Sequence, residues 1–378
     1  MTDKRKKREN KGRNLRAEKP DVRTSPPKLP RSISDQLVLQ NADQILPGRA
    51  LLIMLSGTAL AAHLTRLCPD VKWHIHTMEH YYLTSAVNAL SEDDSTAAAE
   101  IEMFCTPDLP DEQYDTVILA TNSRGSSELL REILQAVALR MKPMARLIIT
   151  TNNAKDHWLH ELLKATYGRT TVRNDKHGVC YVARKAAVAG KRKSYDCEFA
   201  FRDEDRLIRC FSRPGVFSHR RVDGGARALI RSLILRSGES GKGSLPRRIV
   251  EMGCGAGAVA TAAALRFPKA TVLAVDSHAR AIQSTERTAA MNSATNVSVL
   301  LTSNGLVPHS GSYDLFLGNP PYYSDFRISE LFLQSAAECL KRGGYVHIVT
   351  KSAEWHENRM IELFANAQVH RFGEYDVV

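Results

Sequence analysis

Asn319-Pro320-Pro321-Tyr322 is a run whose residue types suggest a definite chemistry. Two successive prolines hold an extended backbone and carry no N–H, so nearby carbonyls are left open as acceptors. The Asn side-chain carbonyl and a Pro main-chain carbonyl can then both accept from one amino group, while Tyr322 offers a flat face to a planar base. Such a site holds an exocyclic NH2 in line with a methyl donor. As the bonds draw density onto nitrogen, its lone pair leaves conjugation with the ring and becomes nucleophilic. Positioning is the main catalytic term, and no strong base is needed. The bland alternative is a rigid turn, and what lies upstream weighs against it.

Sixty-six residues upstream stands Glu251-Met252-Gly253-Cys254-Gly255-Ala256-Gly257, between an apolar run and a helix-like stretch. Glycines there let a backbone approach a ligand, and a helix N-terminus presents free N–H groups. The spacing is neither a phosphate-binding Walker loop, since no Gly-Lys-Ser/Thr follows, nor the dinucleotide GxGxxG. Asp276 ends the next apolar run, about 20 residues on, where an acid can accept from both hydroxyls of a ribose. Cys254 reads as a small residue at a tight turn.

These residues need a scaffold, and the chain writes it twice. Tyr114-Asp115 and Lys142 fall on Tyr313-Asp314 and Lys341 at a shift of 199, and the tracts 49–77 and 248–276 share an apolar pattern at the same shift. In the later copy strands are expected at 248–253, 271–276, 297–302, 313–319 and 345–350, with helices at 258–267, 279–292 and 328–341. In the earlier copy the strands fall at 50–55, 73–77, 101–105, 116–120 and 146–150. Strands alternating with helices mean βαβ units and a doubly wound parallel sheet, so the fold class is α/β with two tandem Rossmann-like folds.

The later copy resembles class I S-adenosylmethionine-dependent methyltransferases of the Asn-Pro-Pro-Tyr/Phe type. More narrowly it resembles the RsmC/RlmG-like family of bacterial ribosomal RNA guanine-N2 methyltransferases, which are tandems with an inert first copy. The match rests on Gly215-Val216-Phe217-Ser218 with Asp223-x-Gly225, on the glycine loop with Asp276 and Ser303-Asn304, and on Asn319-Pro320-Pro321-Tyr322. The resemblance implies S-adenosylmethionine as cofactor. Phe217 would cover it, with Glu251, Gly253, Gly255, Gly257 and Asp276 around it and Ser303 and Asn304 near its adenine. Residues 319–322 would be catalytic. It implies ribosomal RNA or a ribosomal subunit as partner, with guanine N2 of the small subunit as the methylated group. Relatives often have Phe where Tyr322 stands.

At the 199 shift the first copy has Met54, Ser56 and Thr58 for the three glycines, Thr77 for Asp276, and Ala120-Thr121-Asn122-Ser123 for the catalytic run. Gly57 is out of phase. Thr77, with Glu79 nearby, retains an acceptor for a ribose, but the rest of the site is gone, so this copy is expected to place RNA and shield its neighbour. Two rivals share the site: a protein-glutamine N5 methyltransferase and a DNA adenine-N6 methyltransferase. A rival of another class is a non-catalytic RNA-binding assembly protein. Methyl transfer to ribosomal RNA separates them.

The chain has 378 residues and a formal charge of +11, with 52 Lys+Arg against 41 Asp+Glu. That length implies two or three domains. Residues 1–34 carry twelve basic and four acidic side chains and four prolines, which reads as a disordered basic tail that neutralises phosphates. Residues 184–248 carry seventeen basic and seven acidic side chains, which reads as a substrate-facing side. The expected domains are then 35–184, a degenerate methyltransferase-like fold; 185–195, a linker; and 196–378, the catalytic fold. No apolar run of about 18 residues exists, so no membrane span is expected, and no secretory leader is apparent. Seven scattered cysteines fit a reducing cytoplasm. His63, His74, His76, His80, His157 and His160 lack ligand spacing and read as surface or core residues, so no metal is expected. A monomer is expected.

Overall fold

The computed structural model describes residues 30–91, 100–184, 193–236, 245–321 and 325–378. The first unit contains α1 (Ile33–Gln40), β1 (Arg49–Met54), α2 (Ala59–Leu67), β2 (Lys72–Thr77), α3 (His80–Ser91), β3 (Ile101–Cys105), β4 (Tyr114–Thr121), α4 (Ser127–Arg140), β5 (Met141–Thr151), α5 (Trp158–Tyr167), β6 (Thr170–Asn174) and β7 (Val179–Arg184). The second opens with a hairpin, β8 (Cys197–Asp203) and β9 (Arg206–Ser212). There follow α6 (Gly224–Ser232), β10 (Arg248–Met252), α7 (Ala258–Arg266), β11 (Thr271–Asp276), α8 (Ala279–Met291), β12 (Val297–Leu301), β13 (Tyr313–Gly318), α9 (Arg327–Cys339), β14 (Leu340–Thr350), α10 (Ala353–Phe364), β15 (His370–Phe372) and β16 (Tyr375–Val377).

Each unit holds a seven-stranded sheet, ordered β3-β2-β1-β4-β5-β7-β6 and β12-β11-β10-β13-β14-β16-β15. The two orders are the same, so the expected duplication is present in three dimensions. The first five strands of each sheet are parallel, and β7 and β16 join antiparallel at one edge. The central strands are buried on both faces, which is why Ala50–Met54 and Leu315–Gly318 read as unbroken small or apolar runs. Helix α7 is buried from Ala258 to Ala264, and its small side chains let it pack between α6, α8 and the sheet. The ten strands expected at the 199 shift are all present; β6, β7, β15, β16 and the β8–β9 hairpin are additions.

The matched Tyr-Asp and Lys positions have a structural explanation. In both sheets the register slips at that aspartate, between Tyr114 and Thr116 and between Tyr313 and Leu315. Asp115 accepts from the Arg49 N–H at 2.9 Å and pairs with Lys142 at 2.7 Å. Asp314 accepts from the Arg248 N–H at 2.8 Å and pairs with Lys341. These residues bind the start of each first strand to the bulge beside it, so their recurrence reports architecture and not catalysis.

Two expectations on the basic segments change. Residues 1–29 and 185–192 lie outside the described residues, so most of the expected tail and linker does too. The tail boundary at 34 is too late, because Ser32 caps α1 and Ser34 is buried, donating to the Thr121 carbonyl at 2.6 Å. The 184–248 segment is not one substrate-facing side either. Arg213 is buried between the units, Arg220 pairs with Glu128, Arg209 with Glu198, and Arg206 donates to the Leu265 carbonyl. Arg209, Arg213 and Arg220 answer neighbouring acids, while Arg221, Arg227 and Arg231 stay exposed.

Arg213 belongs to the contact that joins the units. Glu132 of α4 is buried and accepts from Arg213 at 2.7 Å and from Arg280 at 3.0 Å. Arg213 also pairs with Asp108 at 2.6 Å. Arg280 donates to the Pro107 and Pro214 carbonyls at 2.8 and 2.9 Å. Burial and the neighbouring Arg213 charge bring the Arg280 guanidinium down to about 10. Removing one member of a buried ionic cluster leaves a desolvated charge unanswered. Glu132→Ala is therefore expected to destabilise the protein by about 3–5 kcal/mol in denaturant unfolding; a loss under ~1 kcal/mol would show that Asp108 alone balances both arginines.

Candidate cofactor and catalytic site

The site lies at the C-terminal ends of β10, β11 and β13, where strand order reverses about β10 and where open α/β sheets place their ligands. Gly253, Gly255 and Gly257 all have positive φ, at +79°, +54° and +77°. The Gly253 and Cys254 N–H groups donate to the Val275 carbonyl, which draws the loop against β11. A Cβ on Gly255 would stand 1.9 Å from the Phe217 carbonyl oxygen, and one on Gly257 would stand 2.8 Å from Thr285 Cα. The loop can thus follow this path only with glycine at both places. Phe217 itself is 70% exposed beside it.

Asp276 ends β11 as expected, half-buried, but its carboxylate already has main-chain partners. Oδ2 accepts from Gly255 N–H and Oδ1 from His278 N–H, each at 2.9 Å. Each carboxylate oxygen has a second lone pair for a further donor, so the residue braces the glycine loop and can still receive a hydroxyl. His278, not Asp276, caps α8. Burial raises the Asp276 carboxyl. Glu251 is buried and raised well above its ordinary value by burial, and its Oε2 has no protein partner in this structure. The orphaned Glu251 oxygen is an acceptor free for an adenosyl-amino-acid cofactor, and the glycines hold the loop beside it in a path that packs against Phe217 and Thr285.

Ser303 and Asn304 follow β12. Asn304 uses its side-chain oxygen to accept from Thr302 and Leu306 of its own turn. Ser303 Oγ meets His80 Nδ1 at 3.0 Å, across 223 residues of chain. Asn319 ends β13. Its amide nitrogen donates to Asp223 Oδ2 at 3.3 Å, and Asp223 in turn caps α6 through the Gly225 and Ala226 N–H groups. Pro320 is buried and Pro321 half-buried; Tyr322 lies outside the described residues.

Sequence reasoning used Asp223 only as part of a family match, placed Glu79 beside a residual ribose acceptor and read His80 as a surface or core histidine. The signal for Asp223 was present: an Asp before Gly-Gly-Ala and an apolar run is a helix start. Glu79 and His80 act across the interface, which no local pattern reports. His74 and His76 are core residues, bonded to the Tyr114 hydroxyl and the Thr106 carbonyl. In the first unit Thr77 accepts from the Glu79 N–H, and the Glu79 carboxylate turns to Ser277 of the second unit. Both groups suggested for the first copy thus have partners within the protein, and Glu79 is directed at the second unit. Helix α1 also covers its loop, with Asp35 Oδ2 3.7 Å from where a Gly57 Cβ would be.

Residues 208–378 match the family model of the methyltransferase small domain. The protein is an S-adenosylmethionine-dependent methyltransferase built from two copies of one fold. More particularly, it resembles ribosomal RNA small subunit methyltransferase C. It is 29% identical to the Hahella chejuensis protein of that name, over 88% of this chain and 95% of the relative, and 25% identical to the Shewanella halifaxensis protein over 89% and 95%. The solved structure of the T. thermophilus 16S rRNA N2 methyltransferase, in complex with AdoMet and guanosine, shares the fold with a TM-score of 0.73. It is 20% identical, covering 92% of this chain and 91% of that one. Among the described residues no helix is long and apolar enough to cross a membrane.

Two outcomes follow from this geometry. A Cβ on Gly225 would stand 2.9 Å from Asn319 Oδ1 and 3.0 Å from Nδ2, while the helical backbone there tolerates alanine. Gly225→Ala should keep normal stability yet lower turnover about 10- to 100-fold by displacing the amide; unaltered kcat would detach Asn319 from the chemistry. Glu79 is raised to about 7 by burial, with Asp276 adding to the rise. Unfolded, it ionises near 4.5; folded, it keeps its proton to about 7. Stability is therefore lost as pH rises through that window and levels above it. Glu79→Gln should gain stability relative to the parent between pH 5 and 8, read as unfolding midpoints; parallel pH curves would contradict this.

Proposed function

We propose that the second unit methylates an exocyclic amino group of ribosomal RNA, guanine N2 of the small subunit, and that Asn319 and Pro320 are the acceptors that hold it. The observation that carries this is the Asn319–Asp223 bond. An amide whose nitrogen is committed to a fixed carboxylate turns its oxygen away from that carboxylate, as an acceptor for a substrate N–H. The names of the relatives supply the substrate class, and the guanosine in the T. thermophilus complex supports the base. Arg221, Arg227 and Arg231 are exposed on the loop and helix that carry Asp223, and Phe217 is exposed beside them, a basic and aromatic margin suited to RNA.

S-adenosylmethionine, held by the glycine loop and Asp276, supplies an electrophilic methyl group. Gly255 lets the Phe217 carbonyl close over the loop. Asp276 would offer its remaining lone pairs to the ribose, and the buried, unpartnered Glu251 Oε2 would be a further acceptor for the bound group. Asn319 Oδ1 and the Pro320 carbonyl accept the two amino hydrogens and turn the nitrogen lone pair toward the methyl. With that donor bound, the N–C bond would form as the C–S bond breaks, and the amine's surplus proton would leave to solvent.

Mapping ribosomal RNA modifications by mass in cells with and without the protein tests the reading. One methylguanosine should be lost, whereas an intact map with unmethylated release factor or DNA would favour a rival substrate of the same site. Asn319→Ala should keep cofactor affinity and cut turnover at least ~10²-fold; near-normal turnover would overturn the mechanism. The basic N-terminal residues should act on affinity alone. If about four phosphate contacts form, deleting residues 1–29 should flatten the slope of log affinity against log salt by roughly 3, with turnover at saturating RNA unchanged. Equal slopes would leave the arm without a role in RNA binding.

A further inference from the structure

The turn after β2 and the turn after β11 lie back to back. The His80 N–H donates to the Ser277 carbonyl at 2.8 Å and the Ala279 N–H to the Met78 carbonyl at 2.7 Å, with Glu79 and His278 paired between them. Met78 and Ser277, and His80 and Ala279, are equivalent at the 199 shift, so the main-chain contact is its own image about a pseudo-two-fold axis. The side chains break the symmetry. From the first unit, Glu79 Oε2 accepts from Ser277 Oγ at 2.8 Å and His80 Nδ1 meets Ser303 Oγ at 3.0 Å. Their counterparts do not answer in kind. His278 uses its ring nitrogen to cap its own helix, and Ala279 has no polar side chain.

Ser277 directly follows the aspartate that braces the glycine loop, and Ser303 sits on the loop after β12. Both turns form one end of the site assigned above to the adenosyl group. We propose that Glu79 and His80 of the first unit are positioning residues for S-adenosylmethionine in the second, fixing Ser277 and Ser303 so that the adenosine end of the site is complete only with both units in place. A serine hydroxyl on a loop samples three rotamers. The His80 ring holds that of Ser303 in one of them, before the ligand arrives. Holding the Ser277 hydroxyl fixes the turn whose first residue is Asp276, and with it the direction of the carboxylate's remaining lone pairs. On this account the first unit has lost its own pocket and kept the side chains that serve its neighbour's. The inference rests on the cofactor reading of Asp276 and the glycine loop.

The test uses the full chain and calorimetry with S-adenosylmethionine. Glu79→Ala and His80→Ala should each weaken binding roughly 3- to 10-fold, as for one lost hydrogen bond. Each should raise KM for the cofactor and leave kcat at saturating substrates unchanged. Glu79→Gln and His80→Asn, which keep a hydrogen-bonding atom near the same place, should recover most of the affinity. Asp108→Asn loosens the same interface away from both serines and should leave affinity at the parent value while lowering the unfolding midpoint. Parent-like affinity in the folded Glu79→Ala/His80→Ala double variant would overturn the proposal. So would an equal loss in Asp108→Asn, which would mean that any loosening of the interface acts alike. If the parent protein bound no S-adenosylmethionine, the cofactor reading itself would fall, and this inference with it.

Discussion

One carboxylate, buried between two guanidinium groups, ties the two units of this protein together. Glu132 comes from the first unit, and Arg213 and Arg280 come from the second. Arg280 also holds the Pro214 carbonyl. The segment that follows carries Phe217, whose carbonyl occupies the space left by the missing Cβ of Gly255. The path of the cofactor loop is therefore set by a neighbour that in turn is anchored across the interface. The loop of the second unit thus depends on the first unit for its path, whatever chemistry the first unit has.

The two copies diverged by filling space as much as by losing ligands. In the second unit, α6 begins with Asp223 as its cap and has Gly225 two residues on, and the Asn319 amide fits against that glycine. In the first unit, α1 begins with Ser32 as its cap and has Ser34 two residues on, whose hydroxyl reaches the strand end where the catalytic run would stand. Asp35 then lies against the degenerate loop, its carboxyl pushed up to about 6 by burial. A pocket closed by packed and hydrogen-bonded residues is harder to reopen than one lacking a single acceptor.

The parallel strands and the glycine loop were legible because they obey local rules. A doubly buried strand is an apolar run, and a loop with three positive-φ residues in seven demands glycine. The terminal pairs β6–β7 and β15–β16 were missed; β15 and β16 are only three residues each, and β6 is largely exposed, so neither periodicity nor length marks them. The cap and first two residues of helix α1 were absorbed into the basic tail because composition was averaged across a boundary that a single capping serine defines. The arginines of 184–248 were read by sign alone, but Arg213 and Arg220 find their acids on α4, more than 80 residues away in sequence. The roles of Glu79 and His80 were out of reach for the same reason, since both depend on how two independent folds dock.

The central claim is that one fold has been kept for the cofactor while its twin has been closed and turned to support. The stoichiometry of S-adenosylmethionine binding to the full chain, by calorimetry, tests it most directly. The account predicts a single site per chain, lost when Asp276 is replaced by alanine and untouched when Thr77 is. Two sites per chain, or one that survives Asp276→Ala and disappears with Thr77→Ala, would contradict it.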